Sequence, residues 1–191
     1  MAVVLGTNSG FVSVAPAADP GGSGRGIDNY SSVTCDTSPA DATKITEIGW
    51  WCDAATEAAN FEVGLYDSDG IVVPGEAATR LFVDAVNAKG LDAGWKRVAV
   101  DWAITGSHKY WIGMSCENTA TASYTNYNSS GGAGYDQRSG VSTLNNPFGG
   151  GALSDVDGLL TIYALYTTGG VQSIVPLLGG TLGGNCNPMM G

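Results

Sequence analysis

Apolar and polar side chains alternate along several stretches of this chain, and a period of two is typical of β-strands. The clearest stretches are residues 44–52, 61–66, 94–104, 109–116 and 159–166. No stretch has the spacing of a long amphipathic helix. About eight such strands in one chain predict an all-β fold, an antiparallel β-sandwich of jelly-roll type.

Two of these stretches follow each other so closely that they predict a hairpin. Val98 and Trp102 share one face of the first stretch, and Tyr110 and Met114 share one face of the second. Residues 105–108 between them read Thr-Gly-Ser-His, a composition typical of tight turns. An antiparallel hairpin is therefore predicted at the centre of the fold.

Three segments are expected along the chain. Residues 1–26 form an N-terminal segment that ends in a flexible loop rich in glycine. The sandwich follows at residues 27–168, with residues 30–35 as an edge strand. Both faces of residues 44–52 carry apolar side chains, so part of the outer face of this strand should also be covered. An extended glycine-rich C-terminal arm occupies residues 169–191.

The C-terminal arm contains one run of apolar residues, which is unusual in a solvated linker. These residues are Ile174, Val175, Pro176, Leu177 and Leu178. Consecutive apolar side chains are expected to pack against protein, either the surface of the same domain or a neighbouring subunit. The run is therefore a candidate docking arm.

Charge limits the range of partners. The 191 residues include 18 acidic and 8 basic side chains, which give a formal net charge of −10. Nucleic-acid phosphates and anionic membrane surfaces attract basic proteins, so neither is an expected partner. The first residues lack the features of a secretory leader, and no stretch is long enough to span a membrane.

Side chains suited to catalysis are few. His108 is the single histidine, and no G-x-S-x-G sequence accompanies it, so we expect a surface residue of a turn. A glycosidase needs two facing carboxylates, whereas acids on predicted strands usually lie on solvent faces. These acids are Glu47, Glu62, Asp101 and Glu117. The chain is therefore predicted not to be an enzyme.

Two Asp-x-Asp-Gly turns resemble the opening of a calcium-binding loop. They contain Asp67 with Asp69, and Asp155 with Asp157. Neither turn has the downstream glutamate of an EF-hand, and Asp-Gly is also an ordinary turn pair. No cofactor is therefore expected, and calcium at these turns is the alternative.

Four cysteines allow three disulfide pairings, and the sequence does not choose between them. They are Cys35, Cys52, Cys116 and Cys186. Cys52 and Cys116 fall on inward faces of predicted strands, where cysteine acts as a small apolar side chain. The spacing contains no C-x-x-C pair, so a zinc site is not predicted.

Residues 122–150 combine aromatic side chains with serine, glycine and asparagine, a composition typical of binding loops. The aromatic residues are Tyr124, Tyr127, Tyr135 and Phe148. Tyrosine rings stack on sugars and also cover subunit interfaces. These four residues are therefore candidates for contact with a glycan or a protein, and the alternative is that they cover the edge of the sandwich.

The order of features between residues 44 and 117 resembles that of a known group of modules. Ile-Gly-Trp at 48–50 is followed by Phe-Glu-Val-Gly-Leu-Tyr-Asp at 61–67, Gly-Trp-Lys at 94–96 and Lys-Tyr-Trp-Ile-Gly at 109–113. This order resembles jelly-roll modules of tailed-phage virion proteins. It is also similar to some carbohydrate-binding or surface-anchoring β-sandwiches. The resemblance identifies no catalytic residue.

This resemblance implies a structural virion protein, most simply a capsid decoration (cementing) protein that docks through its terminal segments. Such a protein would be made in the host cytoplasm and would form a homo-oligomer, for example a trimer, on the major capsid protein. A carbohydrate-binding or receptor-binding module of the tail-fibre type is the alternative, with glycans as partners. The 14% content of charged residues is typical of β-proteins that work outside cells and fits both.

Overall fold

The computed structural model describes residues 1–55, 60–68, 79–86, 92–117, 123–128, 135–140, 142–149, 153–155 and 158–169. Within these ranges the regular elements are thirteen β-strands. They are β1 (Gly10–Val12), β2 (Ser23–Gly26), β3 (Tyr30–Thr37), β4 (Ala42–Ala55), β5 (Asn60–Asp67), β6 (Arg80–Val86), β7 (Gly94–Ala103), β8 (Lys109–Glu117), β9 (Ser123–Asn128), β10 (Tyr135–Ser139), β11 (Leu153–Asp155), β12 (Leu159–Leu160) and β13 (Ile162–Thr168). No helix in the described ranges is long and apolar enough to cross a membrane.

The strands form two sheets, and the predicted all-β sandwich is confirmed. The first sheet has the order β1-β13-β4-β9-β12, with β7 also paired to β4 and β2 to β9. The second sheet has the order β11-β10-β3-β8-β5-β6. Neighbouring strands pair antiparallel, except that β1 runs parallel to β13. Strands β3, β4 and β5 alternate between the two sheets, and residues 38–41, which connect β3 to β4, cross from one layer to the other.

The predicted hairpin between β7 and β8 is wrong, because these two strands lie in different sheets. β7 pairs with β4 in the first sheet, whereas β8 lies between β3 and β5 in the second. Residues 104–108 therefore form a crossing between the layers. Both strands point apolar side chains into the same core from opposite sides, and this produces the alternation that a hairpin would also show.

Ser38 ties this crossing to the neighbouring one, which connects β3 to β4. Its amide donates to the carbonyl of His108 at 2.9 Å, and its carbonyl accepts from the amide of Ser107 at 3.0 Å. Its hydroxyl donates to the carbonyl of Thr105 at 2.7 Å. A Cβ at Gly106 would lie 2.2 Å from the Ala40 carbonyl oxygen, so only glycine allows the two connections to approach this closely.

The main core lies between the sheets and is built from the inward faces of the long strands. Trp50, Ile48 and Ile45 of β4 are fully buried. Trp50 packs on Phe61 of the opposite sheet, with ring centroids 4.8 Å apart. Burial of each large apolar side chain contributes about 1.5–3 kcal/mol, so the inward face of β4 is a major source of stability.

A second cluster covers the outer face of the second sheet. Leu144 and Phe148, from the segment 142–149, pack on a patch formed by Val33, Cys35, Tyr66 and Trp111. The Phe148 ring lies 5.4 Å from that of Tyr66, and it is fully buried. The Tyr66 hydroxyl donates to the Asn145 carbonyl at 2.8 Å and fixes the segment on the sheet.

Two expectations are corrected by this cluster and the sheet order. Phe148 is a core side chain, so its ring offers no surface to a ligand or partner. Residues 30–35 are not an edge strand, because β3 is paired on both sides, by β10 and β8. The interior position of β3 explains why its side chains at 31–35 are all buried.

The outer face of the first sheet is covered as well, as the apolar side chains on both faces of β4 predicted. Residues 16–18 cross this face, where the Pro16 and Ala18 carbonyls accept from Arg97 at 2.5 Å and from the Trp95 indole at 3.0 Å. Tyr163 lies beneath them with its hydroxyl bonded to Arg97 at 2.9 Å. Its ring occupies the space above Gly49, where a Cβ would come within 2.3 Å of it.

The N-terminal 26 residues are part of the sandwich rather than a separate segment. β1 pairs with β13, and β2 pairs with β9. The Phe11 amide also donates to the Asp36 carboxylate at 2.8 Å, which links β1 to the opposite sheet. The sandwich therefore begins before the predicted boundary at residue 27, because the first sheet needs these strands to complete its backbone hydrogen bonds.

The role of Phe148 in the second cluster leads to a test. Phe148→Ala should lower the free energy of unfolding by about 3–5 kcal/mol, because it removes a fully buried ring and leaves a cavity. Urea denaturation followed by tryptophan fluorescence measures this change. The control Val83→Ala removes a side chain that is 41% exposed and should change stability by less than about 0.5 kcal/mol. Equal effects of the two substitutions would contradict the second cluster.

Candidate functional site

An open pocket of about 420 Å³ lies where the crossing between β7 and β8 meets the edge strand β6. Its walls come from both sheets, since β6 belongs to the second and the end of β7 to the first. The lining side chains are Asp67, Leu81, Phe82, Ala103, Ile104, Thr105, His108 and Tyr110. One wall is therefore polar and the other is apolar.

The polar wall is organised by a carboxylate–imidazole pair. His108 Nε2 lies 2.7 Å from Asp67 Oδ1, and the exposed fractions of the two side chains are 42% and 23%. His108 was expected to be a surface residue, and its side chain is partly exposed, but the fold also holds it against the end of β5. The interaction is an ion pair only when His108 is protonated and is otherwise a hydrogen bond. Both groups can also exchange hydrogen bonds with a bound hydroxyl.

Aromatic and aliphatic side chains form the apolar wall. The Tyr110 ring lies 4.6 Å from the His108 ring, and its hydroxyl accepts from the Thr105 amide at 2.9 Å. Phe82 is stacked on the buried Trp102, with centroids 5.4 Å apart and an interplanar angle of 8°. Leu81 is 40% exposed at the rim. These contacts fix the wall in place, so the pocket exists before any ligand binds.

Three of the four acids that were considered for catalysis are engaged outside the pocket. The Tyr163 hydroxyl donates to Glu47 at 2.5 Å, and the Leu144 amide donates to Glu62 at 2.7 Å. Asp101 pairs with Lys44 at 2.5 Å on the surface of the first sheet. Burial and the bond to Glu47 raise the pKa of Tyr163, which keeps its hydroxyl a donor. The contacts of these three acids are structural ones.

The three candidate tyrosines lie on strands of different sheets, because β9 is in the first and β10 in the second. Tyr127 is half-buried, and the guanidinium carbon of Arg25 lies 5.6 Å from its ring centroid. The side chains of Tyr124 and Tyr135 lie outside the described part of the chain. Their contact with a glycan or a protein stays a prediction.

The calcium turns and the docking arm fall largely outside the described residues. The part of the chain outside the described residues includes Asp69, Asp157, the Asp155 side chain and the run Ile174–Leu178. Asp67 is described, and one of its carboxylate oxygens is bonded to His108. In the described ranges, no group of three or more His, Cys, Asp or Glu side chains is placed to hold a metal ion.

Three of the four cysteines are buried as thiols in the described structure, namely Cys35, Cys52 and Cys116. Cys186 lies outside it. Burial raises the pKa of Cys35 to about 11 and that of Cys52 to about 12. Neither thiol therefore provides a thiolate nucleophile at neutral pH. The expected inward positions of Cys52 and Cys116 are confirmed.

Comparison with known proteins gives only distant structural similarity. No family model matches the sequence, and no curated protein matches it. The fold is similar to a solved structure of the cysteine protease and lectin-like domains of Cwp84, a surface layer associated protein of Clostridium difficile. The sequence identity is 15% and the TM-score is 0.42, over 70% of this chain and 32% of that one. A similarity this distant does not indicate a function.

The shifted thiol pKa values predict how stability depends on pH. As the pH rises above 9.0, the unfolded chain releases the thiol protons of Cys35 and Cys52, whereas the folded protein keeps them up to about pH 11. The free energy of unfolding should therefore fall between these values, by about 1 kcal/mol per thiol at pH 10. Urea denaturation at pH 8 and pH 10 measures this loss.

Buried tyrosines also titrate at high pH, so the variant Cys35→Ser serves as the control that separates the contribution of the thiol from theirs. Between pH 8 and pH 10, the free energy of unfolding of this variant should fall by about 1 kcal/mol less than that of the wild-type protein, because one titrating thiol is absent. An unchanged pH dependence in this variant would show that the Cys35 thiol does not contribute.

Proposed function

We propose that this protein is a non-enzymatic β-sandwich that binds carbohydrate in the pocket between β6 and the end of β7. The observation that supports the proposal is the pairing of Asp67 and His108 opposite an apolar wall in one preformed pocket. The volume of about 420 Å³ falls within the range of small-molecule sites.

The chemistry of a sugar ring matches both walls. The hydroxyl groups of a sugar project from the edge of its ring. The Asp67 carboxylate can accept hydrogen bonds from these hydroxyl groups, and His108 can accept or donate them. The faces of the sugar ring carry C–H groups, which are apolar and pack against side chains such as Leu81 and Phe82. The net charge of −10 disfavours sulfated or other polyanionic glycans, so a neutral sugar is the preferred ligand.

Asp67→Asn tests this proposal. The substitution keeps the shape of the pocket but removes the charge that strengthens hydrogen bonds to hydroxyl groups. Such bonds contribute about 1.5–3 kcal/mol, so affinity should fall about 10- to 100-fold. Neutral glycans that bind the wild-type protein on an array would be titrated calorimetrically against both proteins.

Asp101→Asn is the matched control, because it makes the same change at an exposed carboxylate outside the pocket. Affinity should be unchanged in this variant. Binding that survives Asp67→Asn, or that is lost equally in both variants, would contradict the pocket as the sugar site. A wild-type protein that binds no glycan on the array would contradict the function itself.

A second candidate function is a capsid decoration protein of a tailed phage, which would be located on the virion. Exposed apolar side chains on two separate surfaces favour it, since an assembly would cover them. Val4 and Leu5 of the N-terminal segment are 46% and 39% exposed, and Val83 on the edge strand β6 is 41% exposed. In this function the terminal segments dock on the major capsid protein, and a symmetric lattice multiplies a modest affinity per site.

The decoration function predicts that the purified protein forms a defined homo-oligomer, such as a trimer, as measured by light scattering. Val4→Lys and Val83→Lys each place a charge on one of the exposed apolar surfaces. At least one of them should shift the protein to the monomer, whereas Ala99→Lys, on an exposed position of β7, should not. A wild-type monomer at all concentrations would count against assembly through these surfaces.

A further inference from the structure

An apolar groove lies on the N-terminal segment, away from the sugar pocket. Its volume is about 450 Å³, and its lining comprises Met1, Thr7, Asn8, Val14 and residues 15–18. Residues 15–18 read Ala-Pro-Ala-Ala, so the lining is apolar apart from Thr7 and Asn8. The bonds from Arg97 and Trp95 to the carbonyls of this segment hold the groove on the outer face of the first sheet.

The groove is suited to an apolar occupant. Met1 and Val14 are 78% and 75% exposed, although both are large apolar side chains. Asn8 is buried, and its amide group is already engaged, accepting from the Val4 amide at 2.7 Å and donating to the Ala2 carbonyl at 3.0 Å. The main polar side chain of the lining is thus used internally.

The path of the chain places an apolar segment within reach of this groove. β13 runs parallel to β1, with Leu165 opposite Val12, so Val14 lies close to the end of the sheet where β13 leaves it. The run Ile174–Leu178 begins five residues after Gly169. Five extended residues span up to about 17 Å, which is enough to bring the run back over residues 14–18.

The composition of the C-terminal segment favours the same placement. Residues 169–191 contain no charged side chain, so docking would not remove any charge from water. Gly169 and Gly170 precede the run and allow the chain to turn back. The run contains five apolar residues, and a groove of about 450 Å³ accommodates several of their side chains.

We infer that the apolar groove on the N-terminal segment is occupied by the run Ile174–Leu178 of the same chain. The run would then cover the exposed side chains of Met1 and Val14. The inference is independent of the sugar pocket, with which the groove shares no lining residue. It differs from the decoration function, because an arm docked on its own domain is not available to a neighbouring subunit.

Disulfide trapping in the full chain tests the inference. Val14→Cys and Leu177→Cys would be combined in a Cys186→Ser background, in which the other thiols of the described structure are buried. Mild oxidation should form a disulfide within one chain, identified by peptide mapping of the monomer on a non-reducing gel. The control pair is Val83→Cys with Leu177→Cys, because Val83 is exposed on the opposite sheet.

Each outcome of the trapping experiment is decisive. A disulfide within the monomer that forms faster than in the control pair supports the inference. A disulfide-linked dimer would overturn it, because the arm would then dock on a second copy. Trapping that is no faster than in the control would overturn it as well.

Hydrogen–deuterium exchange provides a measurement that does not require cysteines. The double variant Ile174→Ser, Leu177→Ser should expose residues 13–18 and accelerate their amide exchange about tenfold. Leu182→Ser makes the same chemical change in the arm outside the apolar run and should leave this exchange unchanged. Equal exchange in the wild-type protein and the double variant would overturn the inference.

Discussion

Ser38 lies at one end of the sandwich, where its hydrogen bonds hold the connection between β3 and β4 against the connection between β7 and β8. Its backbone and hydroxyl bind the crossing from β7 to β8, while its own segment carries the chain from β3 to β4. Because both crossings are held at one end of the sandwich, β4 and β7 pair in one layer and β3 and β8 in the other. The close approach at Gly106 makes this arrangement sterically specific.

The same crossing creates the candidate site. His108 follows the turn directly, and the register of β5 with β8 sets Asp67 opposite Tyr110, two residues beyond the histidine. The carboxylate and the imidazole therefore meet because of strand pairing rather than through local sequence. A site built this way is rigid, since moving His108 would break the bonds that also hold the sheets together.

Several features of the fold follow from the sequence alone. The alternation in residues 44–52 and 61–66 arises because one face of each strand lies in the main core between the sheets, and both strands are present as predicted. The alternation does not specify the partner of a strand, which is why the crossing at residues 104–108 was predicted as a hairpin. The polar composition around Phe148 suggested an exposed loop. Instead, Leu144 and Phe148 cover a sheet whose outer face carries Trp111.

The candidate site could not be predicted, because its two polar residues are far apart along the chain. Asp67 was considered as part of a turn and His108 as a surface residue, and each interpretation is reasonable for the residue alone. The two side chains come together only when β5 and β8 pair. They then line the same pocket as Phe82 of β6. Sequence patterns report which side chains are buried more reliably than which side chains meet.

The coverage of the two outer faces connects fold and function. The second sheet is covered by the segment 142–149, and the first by residues 16–18, so little apolar sheet surface is left for a partner. The remaining exposed apolar side chains concentrate on the N-terminal segment and on β6. Covering the first of these surfaces with the C-terminal arm would leave β6, at the rim of the pocket, as the main apolar surface of the described domain. A ligand that places an apolar face there would bury apolar side chains of β6 that the fold itself leaves exposed.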